Sequence, residues 1–392
     1  MERRTPIQVV IIRDPADRAT DAYVGALELA FEGRARNSND APQYISDAVD
    51  LQIHVLTPAL DHAAFDAGAL LGAAAYTIVV EIRSGPEAVR PPAQQRFFDA
   101  HDQADSGNAA RTLVVTIPES KVGATVQRAS TAPDELEASL LPVATALHAL
   151  ELARRTLEAA DADGADATGY LKFFVSHAKI DGVPAALSLI GLMRRLRGFS
   201  ASSMGITTPF DYFYDVEDIP AGSDWKQVLE SNARSSVLIV LRTEEYQNRF
   251  WCRSEYHWAE EMGLPILVVD LRTEQFQVAD RLPFGVATAV RIGDGNLLRA
   301  ILHASASHVR LMRDRFMANK AKQGAFEVLP RHPSVISLAG AMKRLEARST
   351  GNTDARIYYP SPRLPDVFVA AVQPMLSNDD VSARLCSMDD VG

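Results

Sequence analysis

Short apolar runs alternate along this chain with longer stretches in which apolar residues recur every three or four positions. Apolar runs of this kind are typical of strands buried on both faces, and the longer stretches are typical of amphipathic helices. In the first third of the sequence the predicted strands cover residues 7–12, 53–57, 77–82 and 112–117, and a helix is predicted over 20–31. The alternation indicates an α/β architecture with parallel strands.

The same pattern is clearest after residue 168. Predicted strands there cover residues 172–176, 212–216, 237–241, 265–271 and 287–292. Predicted helices cover residues 184–197, 222–233, 249–262 and 297–319. Five short strands with helical crossovers predict a flavodoxin-like doubly wound parallel sheet, preceded by a second, Rossmann-like α/β block.

These elements divide the chain into four predicted parts. Residues 1–130 form the N-terminal α/β block, which could be a degenerate copy of the second block. Residues 131–167 hold a long helix and a small, acidic linker, and residues 168–308 hold the five-stranded domain. Residues 309–392 contain a helix, a strand, a proline-rich turn and a helix, which we expect to pack on a neighbouring part of the chain.

Charge and cysteine content narrow the function classes. The formal net charge of −10 argues against nucleic acid or an anionic membrane as a partner. The two cysteines give neither a disulfide framework nor a zinc site of the usual spacing, and the nine histidines give no metal motif. No signal peptide is apparent after Met1 and no apolar stretch is long enough to span a bilayer, so we expect a cytoplasmic protein.

The predicted helix at residues 249–262, RFWCRSEYHWAEEM, places one carboxylate where an apolar residue is expected. At about 100° per residue, five apolar residues share an arc about 120° wide: Trp251, Cys252, Trp258, Ala259 and Met262. Glu260 and Glu261 fall outside this arc, on the face expected to be wet. Glu255 falls in the middle of the arc, so it needs either a partner or a function.

Four motifs in this part of the chain occur in the order and spacing of a Toll/interleukin-1 receptor (TIR) domain. They are FFVSHA at residues 173–178, YDVEDIPAGSDW at 214–225, SSVLIVLRTEEY at 235–246 and WCRSE at 251–255. The resemblance covers residues 169–308 and is closest to bacterial TIR proteins, many of which consume NAD in anti-phage defence. No other part of the chain resembles a family in this way.

The resemblance implies an activity and the residues that carry it. The glutamate of the TIR NADases matches Glu255, and the aromatic residue four positions earlier matches Trp251. Ser176 and His177 end the first predicted strand of this block and Asp215 ends the second, where ligands bind in open α/β sheets. We therefore expect an NAD+ nucleosidase whose substrate is NAD, with Glu255 catalytic and the other four residues binding substrate, and without a metal or a further cofactor.

The chemistry explains how one carboxylate could suffice. Ordinary glycosides need an acid for the leaving oxygen as well as a second carboxylate. The nicotinamide of NAD already carries its positive charge and leaves as a neutral molecule, so the protein need only stabilise the oxocarbenium-like ribose. A glutamate in a water-poor cleft attracts that cation strongly. An aromatic ring one turn away can offer its π face to the pyridinium.

Each assignment has a structural alternative. Glu255 could form a structural ion pair, with Arg194, Arg195 or Arg242 as a conceivable partner. Trp251 could be a core residue, His177 a hydrogen-bonding loop residue and Asp215 the cap of a turn. Cys252 is expected to be a small buried hydrophobe and Trp225 a packing residue.

Three rival functions stay open at this point. The first is a non-enzymatic TIR scaffold or adaptor, which would have no chemical use for a glutamate in an apolar stripe. The second is a nucleoside transferase or hydrolase, which would prefer a simple nucleoside to a dinucleotide. The third is a TIR cyclase producing a cyclic ADP-ribose-type signal, which shares the transition state of hydrolysis up to the capture step.

Regulation is expected to involve self-association through the TIR block and an unidentified activating ligand or protein. The acidic, turn-rich segment at residues 217–224, EDIPAGSD, is the predicted contact with a neighbouring copy, and Arg242 or Arg249 is the predicted basic receiving surface. The N-terminal block is expected to be inactive, because FDAGALLGAAAYTIVVEIR at residues 65–83 has small apolar residues where the second block has its glutamate helix.

Overall fold

A computed structural model describes the greater part of the chain. The described residues are 5–13, 18–32, 52–56, 74–83, 95–100, 112–116, 132–161, 171–203, 210–214, 218, 224–272, 288–291, 297–321, 324–348, 353–360, 363–378 and 380–391. The predicted linker after residue 161 and the candidate site residue Asp215 lie outside these ranges.

The N-terminal block contains a parallel sheet of four strands. They are β1 (Thr5–Ile12), β2 (Gln52–Leu56), β3 (Ala74–Arg83) and β4 (Thr112–Thr116), in the order β2-β1-β3-β4. Helix α1 (Asp21–Glu32) follows β1. Successive residues of β1 from Ile7 to Ile12 are all buried, as expected for a strand covered on both faces. Helix α2 (Ala132–Asp161) follows β4.

The second block contains a parallel sheet of five strands. They are β5 (Leu171–His177), β6 (Phe210–Phe213), β7 (Val237–Arg242), β8 (Ile266–Asp270) and β9 (Thr288–Arg291). Their order is β6-β5-β7-β8-β9, which is 2-1-3-4-5 when numbered within the sheet. The helices of this block are α3 (Val183–Ser203), α4 (Trp225–Ala233), α5 (Phe250–Glu261) and α6 (Leu297–Lys320). The predicted α/β architecture with parallel strands is confirmed.

The edge strand β6 begins and ends earlier than predicted. It covers Phe210–Phe213 rather than residues 212–216, and pairs with β5 alone from Leu171↔Phe210 to Phe174↔Phe213. The backbone N–H of Tyr214 donates to the carboxylate of Asp218 at 2.6 Å instead of continuing a ladder. This local turn ends the strand, so Asp215 lies two residues beyond it.

Strand order also corrects the comparison between the two blocks. The third strand of the first sheet is β3, and it occupies the place of β7 beside the first strand. The counterpart of the glutamate helix therefore follows β3, and residues 65–83 were the wrong stretch to compare. Of the described residues after β3, 95–100 are helical and contain one carboxylate, Asp99, which is exposed.

The C-terminal part is more regular than predicted. It contains β10 (Ala325–Val328), α7 (Val335–Arg348), β11 (Thr353–Tyr359), α8 (Asp366–Val372) and β12 (Val381–Ser387). The strands form a third parallel sheet in the order β10-β11-β12, with its own apolar core. Strands β10 and β12 were missing from the sequence prediction.

Contacts along the chain define two compact units. One contains residues 1–156 and 194–209, and the other contains residues 157–193 and 210–392. The second unit therefore holds both the five-stranded and the three-stranded sheet. Helix α6 runs through residue 308, the predicted boundary between them. Among the helices described, none has both the length and the apolar composition needed to cross a membrane.

Candidate active site

The candidate site lies at the carboxyl ends of β5 and β7, the two adjacent strands between which the strand order of the sheet reverses. Ser176 and His177 end β5 and pair in register with Val240 and Leu241 of β7. A crevice forms at such a point because the connections that follow the two strands leave in different directions. Both Ser176 and His177 are buried.

Glu255 lies on α5 and faces Ser176. Glu255 is only 7% exposed, and its neighbours on the helix, Cys252, Tyr256 and Ala259, are buried as well. The hydroxyl of Ser176 donates a hydrogen bond to Oε2 of Glu255. The carboxylate in the apolar stripe is thus directed at the carboxyl end of the first strand of the sheet.

Tyr246 completes this group, and the sequence analysis did not identify it. Its side chain is fully buried, and because the Ser176 proton goes to Glu255, the single Tyr246 proton is shared between Oγ of Ser176 at 2.6 Å and the carbonyl oxygen of Cys252 at 3.2 Å. Burial, with the nearby charge of Glu255, raises the pKa of Tyr246 well above its usual value. The available signal was position, since Tyr246 ends the SSVLIVLRTEEY motif four residues after the last residue of β7.

His177 contributes through its backbone as well as its ring. The thiol of Cys252 lies 3.4 Å from the His177 carbonyl oxygen, which ties α5 to β5. The imidazole is tilted by 34° against the ring of Tyr214, with 5.4 Å between the ring centroids. Cys252 is buried, as predicted.

Trp251 lies one turn before Glu255 within an aromatic group. Its ring makes edge contacts with the rings of Trp225 and Phe250, with 4.7 and 5.0 Å between the ring centroids. A tilted contact with the ring of Trp258 has 6.4 Å between the centroids. Trp225 is 47% exposed and Phe250 is 63% exposed, whereas Trp251 and Trp258 are half-buried against the core. Trp251 is therefore packed on its flanks, and its role as a platform for the substrate stays a prediction.

Two loops at this edge of the sheet are fixed to each other. The carboxylate of Asp181, after β5, accepts from the hydroxyl of Thr243 at 2.7 Å and from the backbone N–H of Glu245 at 3.1 Å, after β7. Gly182 has no room for a side chain, because an added Cβ would lie 2.8 Å from the Ala178 carbonyl oxygen. These contacts tie the connection after β5 to the connection after β7.

Arg242, proposed from sequence as a partner of Glu255 or as part of a receiving surface, pairs with Asp270 at 3.5 Å. Burial alone would raise the pKa of Asp270, but hydrogen bonds from Arg272 and the charges of Arg272 and Arg242 lower it overall. Because Arg242 is only 3% exposed, the prediction that it forms part of a receiving surface for a neighbouring copy is wrong. Arg249 is exposed and lies 3.6 Å from Glu245.

The two described acidic residues of the 217–224 segment have local partners. Asp218 accepts from Tyr214, and Asp224 caps α4 by accepting from the backbone N–H groups of Lys226 and Gln227. Across the described ranges, no group of three or more histidine, cysteine or carboxylate side chains is arranged to hold a metal ion.

The chain matches no protein-family model, and a comparison with curated proteins gave no match either.

Proposed function

We propose that this chain is an NAD+ nucleosidase of the TIR type, which cleaves the bond between ribose and nicotinamide. The observation that carries the proposal is the buried Glu255 on α5, directed by the Ser176 hydroxyl at the point where strand order reverses. The order 2-1-3-4-5 supports a flavodoxin-like sheet, the architecture expected of a TIR domain. Three of the four motifs that resemble TIR domains, at residues 173–178, 235–246 and 251–255, fall on described strands and helices of this block, and most of the fourth lies outside the described residues.

In the proposed mechanism, Glu255 acts as an electrostatic stabiliser. As the bond to nicotinamide lengthens, positive charge moves onto the ribose, and a carboxylate in a poorly hydrated pocket interacts with it strongly. The hydroxyl of Ser176 donates a hydrogen bond to one oxygen of the carboxylate, and the hydroxyl of Tyr246 is hydrogen-bonded to Ser176. The carboxylate is thus preorganised before substrate arrives, and no acid is required for the leaving group.

The proposed site also has a place for an aromatic ring. Trp251 lies one helical turn from Glu255, with Trp225 and Phe250 extending an exposed aromatic surface beside it. A pyridinium bound against such a surface gains stacking and cation–π attraction. A role in bacterial defence by NAD depletion, and self-association through the TIR block, are parts of the same proposal and rest on the resemblance.

The test is incubation of the purified full-length protein with NAD, followed by chromatographic identification of the products. Hydrolysis yields nicotinamide and ADP-ribose, whereas a cyclase yields nicotinamide and a cyclic product. A parallel incubation with nicotinamide riboside separates a dinucleotide enzyme from a nucleoside hydrolase. Absence of nicotinamide with either substrate, over a wide range of protein concentration, would overturn the proposal and favour a scaffold.

A further inference from the structure

The face of α5 opposite to Glu255 is covered by the C-terminal part of the chain. Glu260, expected from sequence to face water, is only 5% exposed. Its carboxylate accepts from the hydroxyl of Ser334 at 2.7 Å and pairs with the guanidinium of Arg331 at 3.1 Å. The helical projection placed Glu260 correctly outside the apolar stripe, and the prediction that this side is wet was wrong because the segment before α7 packs on it.

The last turn of α5 is held through its backbone as well. The Glu261 carbonyl oxygen accepts from the guanidinium of Arg344 on α7. An added Cβ at Gly340 would lie 1.9 Å from that same oxygen, so the two helices meet at a point where only glycine fits. The final carbonyl groups of a helix have no partner within the helix. Here α7 supplies one.

Arg331 also reaches the residue next to Glu255. Its guanidinium lies over the ring of Tyr256, 5.5 Å from the centroid. Tyr256 is buried, and burial raises the pKa of its hydroxyl to about 12 despite the opposing charge of Arg331. One guanidinium therefore contacts α5 both at Tyr256, directly after Glu255, and at Glu260, one turn later.

Helix α5 is thus fixed at both ends by different parts of the chain. Its first half is tied to the five-stranded sheet by Cys252 at the His177 carbonyl and by Glu255 at Ser176. Its second half is tied to residues 331–344. Contacts at both ends restrict rotation and translation of the helix, and either motion would move Glu255 relative to Ser176.

We propose that Arg331 and Gly340 are positioning residues for Glu255, and that residues 324–348 belong to the catalytic unit. This inference rests on the proposed function. It implies that the five-stranded block alone, ending at residue 308, lacks contacts that its active glutamate needs. Rates of enzymatic reactions respond steeply to displacements on the order of 1 Å, so loosening α5 should reduce turnover more than substrate binding.

The experiment uses the full-length chain with Arg331→Gln and, separately, Gly340→Ala. Arg384→Gln is the matched control, since Arg384 lies on β12, is 70% exposed and is 3.9 Å from Asp354. Hydrogen–deuterium exchange is followed in peptides from α5 and from β5, together with the kinetics of nicotinamide release. We expect both test variants to exchange the α5 amides about tenfold faster, with β5 unchanged and kcat lowered about tenfold while KM changes by less than about twofold.

Two results would overturn the inference. One is wild-type exchange in α5 together with wild-type kcat in Arg331→Gln. The other is a uniform rise in exchange over both sheets, which would assign Arg331 to general stability. If either variant fails to fold, Ser334→Ala replaces it, because this substitution removes the hydrogen bond to Glu260, together with the one that the hydroxyl accepts from the backbone N–H of Ser337 on α7, and leaves Arg331 in place. If wild-type protein releases no nicotinamide, the proposed function fails, while the exchange pattern in α5 still decides whether residues 331–344 position the helix.

Discussion

Two hydroxyl groups form a hydrogen-bonded chain that ends on the carboxylate of Glu255. Ser176 bonds the carboxylate directly, and Tyr246 bonds Ser176 from a fully buried position. Ser176→Ala removes the direct hydrogen bond to a buried carboxylate, and loss of a bond to a buried charged group costs about 1–3 kcal/mol of folding free energy. Tyr246→Phe removes a hydroxyl that contacts Ser176 and the Cys252 carbonyl, while the ring still fills its place.

We expect both variants to fold and to lower kcat, with Ser176→Ala affected more strongly because its contact is direct. Thermal unfolding and the kinetics of nicotinamide release measure the two effects side by side. Wild-type kcat in folded Ser176→Ala would show that the hydroxyl does not orient the carboxylate.

Trp251 and Trp258 lie on the same helix. Substitutions at these two positions should separate an effect on substrate binding from an effect on packing. Trp251→Ala should raise KM and lower kcat together, because a ring that positions the pyridinium acts in both ground and transition states. It should also lower stability, since the ring packs against Trp225 and Phe250. Trp258→Ala should mainly destabilise, by about 2 kcal/mol for a half-buried aromatic residue. If the two variants exchange these kinetic effects, the active face of α5 is misassigned.

Sequence reasoning located the buried carboxylate of Glu255 because one charged residue interrupted a regular apolar arc, and its catalytic role stays a prediction. It failed for Tyr246 because a tyrosine after a strand has no distinctive pattern, and only the fold brings its hydroxyl to Ser176. It failed for the exposure of Glu260 because the group that buries this carboxylate, Arg331, is about 70 residues away in sequence. Helical projection gives the direction of a side chain and does not tell which element covers it.

At the scale of single elements, α2 carries a buried polar cluster in the first unit. The Glu151 carboxylate pairs with Arg154 at 2.7 Å and with Arg155 at 2.8 Å. His148, one turn before, is only 4% exposed. Burial, and secondarily the charge of Arg155, lower the pKa of His148 from 6.5 to about 4. The folded state therefore holds this imidazole neutral.

This lowered pKa predicts that the folding free energy of the protein falls in acid. Because the folded pKa lies below the unfolded one, the contribution of His148 to stability is complete above pH 6.5 and is lost as the pH falls towards 4. The loss corresponds to about 3 kcal/mol at pH 4 relative to His148→Leu, which does not titrate. A pH titration of His148 by NMR and urea unfolding of both proteins provide the measurements. A folded-state pKa near 6.5 would contradict the account.

The strands show which elements local sequence determines. The central strands β5, β7 and β8 each contain at least three consecutive apolar residues, and their predicted limits agree with the structure to within two residues. Strand β12 was missed although its exposure alternates along VSARLCS, because its buried positions include small residues that give a weak period-two pattern. The limits of β6 were wrong because the Asp218 side chain ends its ladder, which apolar content does not indicate.

At the scale of the whole molecule, the proposed activity should depend on self-association. A constitutively active NADase would deplete its own cell, so we expect a site that assembly completes, with specific activity rising as protein concentration rises. Light scattering and initial rates over a dilution series test this expectation. Constant specific activity of a monomeric protein would show that one chain holds a complete site.

The choice of interface variant follows from the local contacts. Asp218 and Asp224 stabilise their own turn and helix, so reversing their charge would alter the fold as well as an interface. Glu217→Lys is therefore the interface variant within residues 217–224. Asp366→Lys is its control, because that side chain on α8 is 94% exposed. Glu217→Lys should suppress the concentration dependence, and equal behaviour of the two variants would argue against this segment as the interface.

The number of sheets was the largest feature that sequence reasoning did not anticipate. Two α/β blocks followed from apolar runs separated by helical patterns, and both are present as parallel sheets. The third sheet was missed because β10 has only four residues, β12 has a weak period-two pattern, and helix α7 packs on α5 of the preceding block. The local hydrophobic pattern predicts single helices and strands. It does not predict that a few of them form a small sheet that packs on a larger domain.

The most direct measurement of the central claim is nicotinamide release by Glu255→Gln beside wild type and Glu230→Gln. Glutamine keeps the volume of Glu255 and removes its charge, whereas Glu230 is a partly exposed carboxylate on α4, paired with Arg234 at 2.9 Å. We expect Glu255→Gln to fold with wild-type stability or slightly above it and to release no measurable nicotinamide, with Glu230→Gln close to wild type. Cleavage of NAD at the wild-type rate by folded Glu255→Gln would contradict the account.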